Sequence, residues 1–215
     1  MKGLKYYHYQ PCHRSMLFDL AQFVVEENYK HHDIPNIKRS KDEIYEIYEE
    51  ETVFENSKIF VTKDYYNSII GSIRVLKWNR TNILPIEKIF KVNLNEIITV
   101  ENCEIWHIGR FAIKRGVDTK GFKIFKSLMV YAINEVCKTE NSVAVAECDS
   151  KLLRILNLLG LETTVLADPI FYLGSDTIPV LFTHKSLTLF LEGNSHLLLE
   201  NLALLHESVV FQAIA

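Results

Sequence analysis

Between Glu104 and Val136 the chain passes from an apolar strand with an internal glycine, through a basic loop holding two further glycines, into a helix with one apolar stripe. Phe122, Phe125, Met129, Ala132 and Val136 recur at three-four spacing, which is one buried helical face. Glu104 to Lys114 reads as a central strand. Under strict alternation Glu104, Trp106, Ile108 and Arg110 face one way, with Ile105, His107, Gly109 and Phe111 opposite. Gly109 predicts an exception, because a glycine inside a strand marks a bulge or a close backbone approach. One extra residue there puts His107 and Arg110 on the same face.

The elements around this unit follow from the same periodicities. Leu17, Leu20, Ala21, Val24 and Asn28 line one side of a first helix, from Arg14 to Tyr29. A second runs from Ser40 to Glu51, with Ser40 placed to cap, Glu43 three residues on, and Ile44, Ile47 and Tyr48 inward. Its other face carries Asp42, Glu43, Glu46, Glu49 and Glu50, read as a solvated surface or as an amine-attracting rim. Lys58 to Thr62 and Ser68 to Lys77 form a hairpin whose second strand holds Arg74 among apolar residues. Residues 79–102 read as a long excursion with one helical turn. Ser142 to Cys148 is a strand, and Ser150 to Leu159 a helix ended at Gly160. Thr163 to Leu173 and Thr177 to Thr183 are strands joined around Gly174. An amphipathic C-terminal helix over 186–213, with Leu198, Leu202, Leu205 and Val209 in register, packs on the domain or forms a homodimer contact. The expectation is a single α/β (α+β) domain over 1–215, a mixed sheet flanked by helices.

Charge and cysteine usage narrow the function. Lys and Arg total 24 against 27 Asp and Glu, a net charge of -3. No global positive field exists to hold nucleic acid. The cysteines at 12, 103, 137 and 148 show neither CxxC nor metal-finger spacing, which favours reduced thiols and a cytoplasmic setting. The most apolar stretch, Leu152 to Leu166, is broken by Arg154, Asn157 and Glu162 and falls short of the about 20 residues a membrane span requires. His31, His32 and Asp33 are adjacent in sequence but lack a third ligand at helical spacing, so no metal is expected.

Three segments carry a resemblance. Trp106, His107, Ile108, Gly109, Arg110, Phe111, Ala112, Ile113 resembles the E-x-x-R-F-A-V strand of the acyl-homoserine-lactone synthases. Gly71 to Leu76 is similar to their G-x-x-R-L-L strand. Leu159, Gly160, Leu161 through Tyr172, Leu173, Gly174 and Pro179 is similar to their L-G-L, Y-x-G and P pattern. The matches fall in order across residues 58–182, and the element order is that of the GNAT-type N-acyltransferases. The resemblance implies a GNAT-like fold and transfer of an acyl group, long-chain by preference, from acyl-CoA or an acyl carrier protein to an amine such as an amino acid. The family's paired acidic residues have no counterpart here beyond Asp33, so an N-acyl amino acid or N-acyl amine synthase fits better than lactone formation from S-adenosylmethionine. Alternatives are an acetyl-CoA-dependent N-acetyltransferase and a catalytically silent acyl-binding module.

Carried over residue by residue, the resemblance implies a catalytic set of His107, Gly109 and Arg110. His107 stands where the family has glutamate, and an imidazole can take a proton from an ammonium near neutral pH. The backbone near Gly109 would meet the oxyanion. Substrate binding is assigned to Arg74, which would hold an acceptor carboxylate, and to Trp106, Cys148 and Tyr172 beside the acyl chain and thioester. The phosphopantetheine arm is assigned to Phe111, Ile113, Arg115, Gly116, Lys120, Gly121 and Phe122, since glycines and cations beside a helix N-terminus favour phosphate. The loop departs from the usual Q/R-x-x-G-x-G/A pattern, which fits a carrier protein with an acidic surface better than coenzyme A. Each residue also has a plainer reading: His107 as a satisfied core histidine, Arg74 and Arg110 in ion pairs with Glu147 or Glu104, Trp106 and Tyr172 as packing, and the loop cations as a solvated helix start.

Overall fold

The computed structural model describes residues 8–33, 40–118 and 121–198. Its strands are β1 (His8–Pro11), β2 (Ser57–Lys63), β3 (Ile69–Lys77), β4 (Glu104–Ile113), β5 (Ser142–Asp149), β6 (Thr163–Val165), β7 (Ile170–Tyr172) and β8 (Ser175–Thr183). They make one sheet in the order β1-β2-β3-β4-β5-β8-β6, with β7 also paired to β8. Every pairing is antiparallel except β4 with β5. That parallel pair is joined by helix α5 (Lys123–Val136), the crossover a parallel pair requires.

Helices cover both faces. On one, α5 and α7 (His184–Asn194) bury Phe125, Met129, Leu187 and Phe190 against Val75, Ile108, Ala146 and Phe182 of the sheet. On the other, α1 (Leu17–His31) and α2 (Ser40–Val53) bury Leu20, Val24 and Ile47 against Ile59, Val61 and Ala112. Residues between β3 and β4 fold over the remainder of that second face. There α3 (Pro85–Phe90) and α4 (Leu94–Ile97) bury Leu84, Ile86, Phe90 and Leu94 against Leu76, Ile105 and Val145. Each fully buried Leu, Ile, Phe or Met contributes about 1.5–3 kcal/mol. Packing, rather than helix propensity, therefore holds the short α3 and α4 in place.

Several expectations are corrected in detail. The excursion contains two short helices where one turn was expected. Pro85 starts α3, and the Glu87 carboxylate ties the pair by accepting the N–H groups of both Leu84 and Leu94. The expected strand from Thr163 to Leu173 is broken into β6 and β7, with Asp168 and Pro169 between them, because Pro169 has no N–H for a ladder. Strand β1 had no expectation attached, since its four residues include Gln10 and Pro11 and show no alternation. The first helix begins at Leu17 after a 3-10 turn at Arg14–Met16. The stripe on α5 excludes Phe122, which takes a left-handed conformation at the helix N-cap and is 42% exposed. The C-terminal helix starts at His184, capped by the Thr183 hydroxyl, and the part of the expected helix beyond 198, with its dimer contact, lies outside the described residues. Among those residues no helix is long and apolar enough to cross a membrane.

Gly71 explains how closely α5 approaches the sheet. A Cβ added there would sit 2.7 Å from Thr62 Cγ2, 3.0 Å from Leu128 Cδ1 and 3.2 Å from Ile124 Cγ2. Gly71→Val is therefore expected to destabilise the protein by about 1–3 kcal/mol through overpacking. The urea midpoint reads this directly, and an unshifted midpoint would contradict the contact.

Candidate active site

The site begins at an irregularity in β4. Arg74 pairs with Gly109 and Ser72 with Ala112, so Arg110 and Phe111 together oppose the single residue Ile73. This is a β-bulge, with Arg110 at φ 52° in the left-handed region. It lies one residue beyond the glycine that predicted it. The bulge reverses the alternation: Trp106 and Ile108 before it, and Phe111 and Ile113 after it, all face α5. His107 and Arg110 consequently share the α2 face.

At the same point β4 parts from β5. Their pairing runs from Glu104–Ser142 to Ile108–Ala146 and stops, while β5 stays paired with β8 as far as Asp149. A wedge opens between residues 109–113 and 147–149. Ser72 Oγ donates to Arg110 O and Lys114 N donates to Ile70 O, both on the β3 side. Alternation then points the Phe111 N–H into the wedge. The Ile113 carbonyl on the same side meets His31 Nε2 at 2.8 Å.

The α2 face of the wedge holds a buried chain of charges. Glu51 is fully buried and accepts from Arg74 Nη1 at 2.7 Å and Arg110 Nε at 2.8 Å. Arg110 Nη2 reaches Glu50 at 2.6 Å. Arg74 Nη2 bonds His107 Nδ1, and His107 Nε2 lies 2.9 Å from both carboxylate oxygens of Glu147. The arrangement decides the tautomer. A guanidinium can only donate, so Nδ1 must accept and the imidazole proton sits on Nε2, pointing at Glu147. Burial, with the nearby Arg74 and Arg110 charges, outweighs the opposing pull of Glu147 and pushes the His107 pKa down, so the ring is neutral. Burial also opposes ionisation of Glu147, but His107, Arg74 and Arg110 together outweigh it and hold its carboxyl below the usual range. Gly109 makes room for this chain: a Cβ there would lie 3.0 Å from His107 Cε1 and 3.1 Å from Arg74 Nη2.

A cavity of about 360 Å³ occupies the wedge. Toward α5 and α6 (Ser150–Leu158) its wall is apolar, built by Phe125, Met129, Leu152, Leu156 and Phe182. Toward α2 and α3 it is polar, with Glu147, Arg110 and Tyr172 beside Pro85 and Ile89. Of the residues singled out in the sequence, Gly109, Arg110, Phe111, Ile113, Gly116, Phe122, Cys148 and Tyr172 line this space. Burial pushes the Tyr172 hydroxyl up to about 12 and the Cys148 thiol upward as well, so both stay protonated at neutral pH.

The remaining residues sit elsewhere. His107 is 1% exposed and lies behind Glu147, both ring nitrogens engaged, so the group that faces the cavity is the carboxylate. Arg74 is wholly buried and committed to Glu51 and His107. Trp106 packs in the core on the α5 face. Arg115 turns its guanidinium to Lys30 O and Asp33, while its backbone N–H donates to Glu27 at 2.9 Å. Gly121 is outside the cavity wall, and Lys120 lies outside the described residues. The α5 N-terminus is already met by protein, since Phe125 N donates to Asp118 Oδ2 at 2.9 Å. His31, His32 and Asp33 diverge to Ile113 O, Asp149 and Arg115.

Sequence reasoning passed over Glu51 as the end of an acidic helix and treated Glu147 only as an ion-pair partner. A signal for Glu147 was present, because it is the lone charge inside the apolar run Ser142 to Cys148. Nothing local marks Glu51. Its inward turn depends on where α2 crosses the sheet.

These groups fix the acid response. A histidine in an unfolded chain titrates near 6.5 and His107 in the fold lower, while Glu51 and Glu147 are held below 4.5. In each case the unfolded chain binds protons that the folded one refuses, so stability falls as pH falls. The urea midpoint is expected to decline below about pH 6.5 and more steeply below about pH 4.5. A midpoint constant from pH 7 to 4 would contradict the buried network.

The seven-stranded path, with one parallel pair splayed by a bulge, helices on both faces and a cavity in the splay, is a fold shared with solved structures of acyltransferases. Solved structures agree on the fold. The N-acyl amino acid synthase FeeM from uncultured soil microbes superposes with a TM-score of 0.59 at 14% identity, over 83% of this chain and 90% of that one. The AHL synthase LasI gives 0.58 at 12% identity, over 89% and 97%. A GNAT-family acetyltransferase from Staphylococcus aureus Mu50 gives 0.53 at 11%, over 82% and 98%. No protein-family model matches the sequence, and neither does any curated protein.

Proposed function

We propose that the protein is an N-acyltransferase that moves an acyl group from a phosphopantetheine thioester to an amine. The observation that carries this reading is the two-sided cavity in the wedge between β4 and β5, apolar toward α5 and α6 and charged toward α2. A thioester laid along the wedge brings its carbonyl to the Phe111 N–H, a donor placed where negative charge develops on attack. Closure on both sides by protein holds amine and thioester together, which supplies much of the rate.

The apolar side favours an acyl chain longer than acetyl. Phe125, Met129, Leu152, Leu156 and Phe182 offer apolar contacts for methylenes beyond the two carbons of an acetyl group. Asp118 on the α5 N-terminus favours a carrier protein over coenzyme A, because fewer helix N–H groups remain for a diphosphate. Cationic residues near the wedge mouth, Lys114 and Lys151, suit a carrier's acidic surface. The four cysteines are unpaired, in keeping with work in a reducing, cytoplasmic compartment.

The test offers purified protein decanoyl-carrier protein, decanoyl-CoA and acetyl-CoA, each with a pool of amines and amino acids. Thiol release and the mass of any amide are read together. Decanoyl donors are expected to give amides at rates at least tenfold above acetyl-CoA. Tight thioester binding with no thiol released in any mixture would leave an acyl-binding module instead.

A further inference from the structure

Where β4 and β5 part, the last turn of α1 takes the place of the lost ladder. Alternation turns the N–H and C=O groups of Phe111 and Ile113 toward the wedge, and β5 no longer reaches them, since its pairing with β4 ends at Ile108–Ala146. His31 Nε2 donates to the Ile113 carbonyl at 2.8 Å, and the Arg115 guanidinium donates to Lys30 O at 2.8 Å. Both bonds tie α1 to the β4 side. From the other side Lys151 Nζ donates to His31 O at 3.3 Å, and His32 Nε2 lies 3.1 Å from Asp149 Oδ2. Cations on the last carbonyls of a helix are a favourable arrangement. His31 and His32 thus bridge the mouth of the wedge.

We infer that His31 is a latch on the edge of β4, released by the thioester's own arm. A thioester whose carbonyl meets the Phe111 N–H must run its arm toward Lys114 and Lys151, because the wedge is closed at its other end, where β4 and β5 rejoin. Ile113 lies two residues further along, about 6.6 Å at the usual rise. Two methylenes set the first amide of a phosphopantetheine arm off from the sulfur, a comparable reach. Its N–H arrives at the Ile113 carbonyl, and an amide laid on an unpaired strand edge gains the backbone hydrogen bonds that join strands. His31 stands in the way: it holds that carbonyl and lines the cavity the arm must enter.

This inference rests on the thioester seat proposed above. Without the arm, His31 keeps the Ile113 carbonyl satisfied and α1 tied to both sides of the wedge. When the arm enters, its amide takes over that bond, and the imidazole of the exposed His31 turns out to water, which replaces the bond it gave up. The contacts of Lys151 and His32 remain, so the turn stays fastened on the α6 side. One hydrogen bond is exchanged for another, and no proton or covalent bond moves. The arm binds more weakly by the fraction of protein that is latched, and a variant without the imidazole is free of that penalty.

The arm alone tests it, as 4′-phosphopantetheine without acyl group or carrier. His31→Ala is expected to bind the arm about three- to tenfold more tightly than the unsubstituted protein. His32→Ala loosens the same turn from the opposite side but leaves His31 on Ile113 O, so its affinity should not rise. In the unsubstituted protein the His31 ring resonances should move as the arm is added, while the Ile113 carbonyl, bonded before and after, keeps its shift. Equal or weaker binding by His31→Ala, an equal gain in His32→Ala, or a His31 ring undisturbed by the bound arm would overturn the latch. An arm that binds neither His31→Ala nor the unsubstituted protein would remove the thioester seat and the latch together. Tighter arm binding by His31→Ala, with no thiol released from any acyl donor, would sustain the latch and remove the transferase reading instead.

Discussion

Glu51→Leu is expected to lower stability by about 3–5 kcal/mol, a large share of the about 5–15 kcal/mol that holds a domain together. Glu51 is the one carboxylate that both Arg74 and Arg110 share, at 2.7 and 2.8 Å. Removing it leaves Arg74, which is wholly buried, without its ion-pair partner, and leaves Arg110 with Glu50 alone. The cost comes from the stranded guanidinium rather than from the pair itself. Glu51→Leu combined with Arg74→Met is therefore expected to recover much of the lost stability, since an apolar pair of similar volume spares both desolvation terms. Urea unfolding of the two variants measures this. A single variant as stable as the unsubstituted protein would show that the network is not buried as described. The double variant should remain impaired in turnover, because His107 loses the donor that sets its tautomer.

Met129→Trp is expected to separate the two sides of the cavity. Met129 is 3% exposed, and its unbranched side chain forms part of the apolar wall between α5 and α6. An indole there takes up space that an acyl chain needs. Each methylene denied an apolar subsite costs about 1–3 kcal/mol of transition-state binding. For decanoyl donors kcat/KM should fall at least 100-fold, while acetyl-CoA should stay within about threefold. Stability should change by less than about 1.5 kcal/mol, because the added atoms enter the cavity and do not press on packed neighbours. Equal losses for both donors would place the acyl chain elsewhere.

Much of the architecture was legible along the chain because it is set by local periodicity. The three-four stripe of α5, the alternation of β3 and the turn residues at Gly160 and Gly174 each mark an element without reference to the others. The bulge was legible too, since a glycine inside an apolar strand forgoes side-chain packing and sits where the backbone bends or meets a close neighbour. The residue that takes positive φ is nonetheless Arg110. What misled was function assigned to single positions. His107 reads as a base when its ring is considered alone, yet it stands as a donor once Arg74 occupies Nδ1. Arg115 and the α5 N-terminus read as a phosphate cradle until Asp33, Glu27 and Asp118 are seen to fill it.

The sequence alone determined most of the helices and strands, where the central strand must kink, and that His107 and Arg110 share one face. Those outcomes follow from side-chain spacing, which the chain carries in itself. Only the tertiary structure decided that Glu51 turns inward, that Glu147 and not His107 meets the cavity, and that both arginines are already paired. Ionisation and hydrogen-bond direction depend on what lies across the sheet, and residues that meet there are separated by tens of positions along the chain.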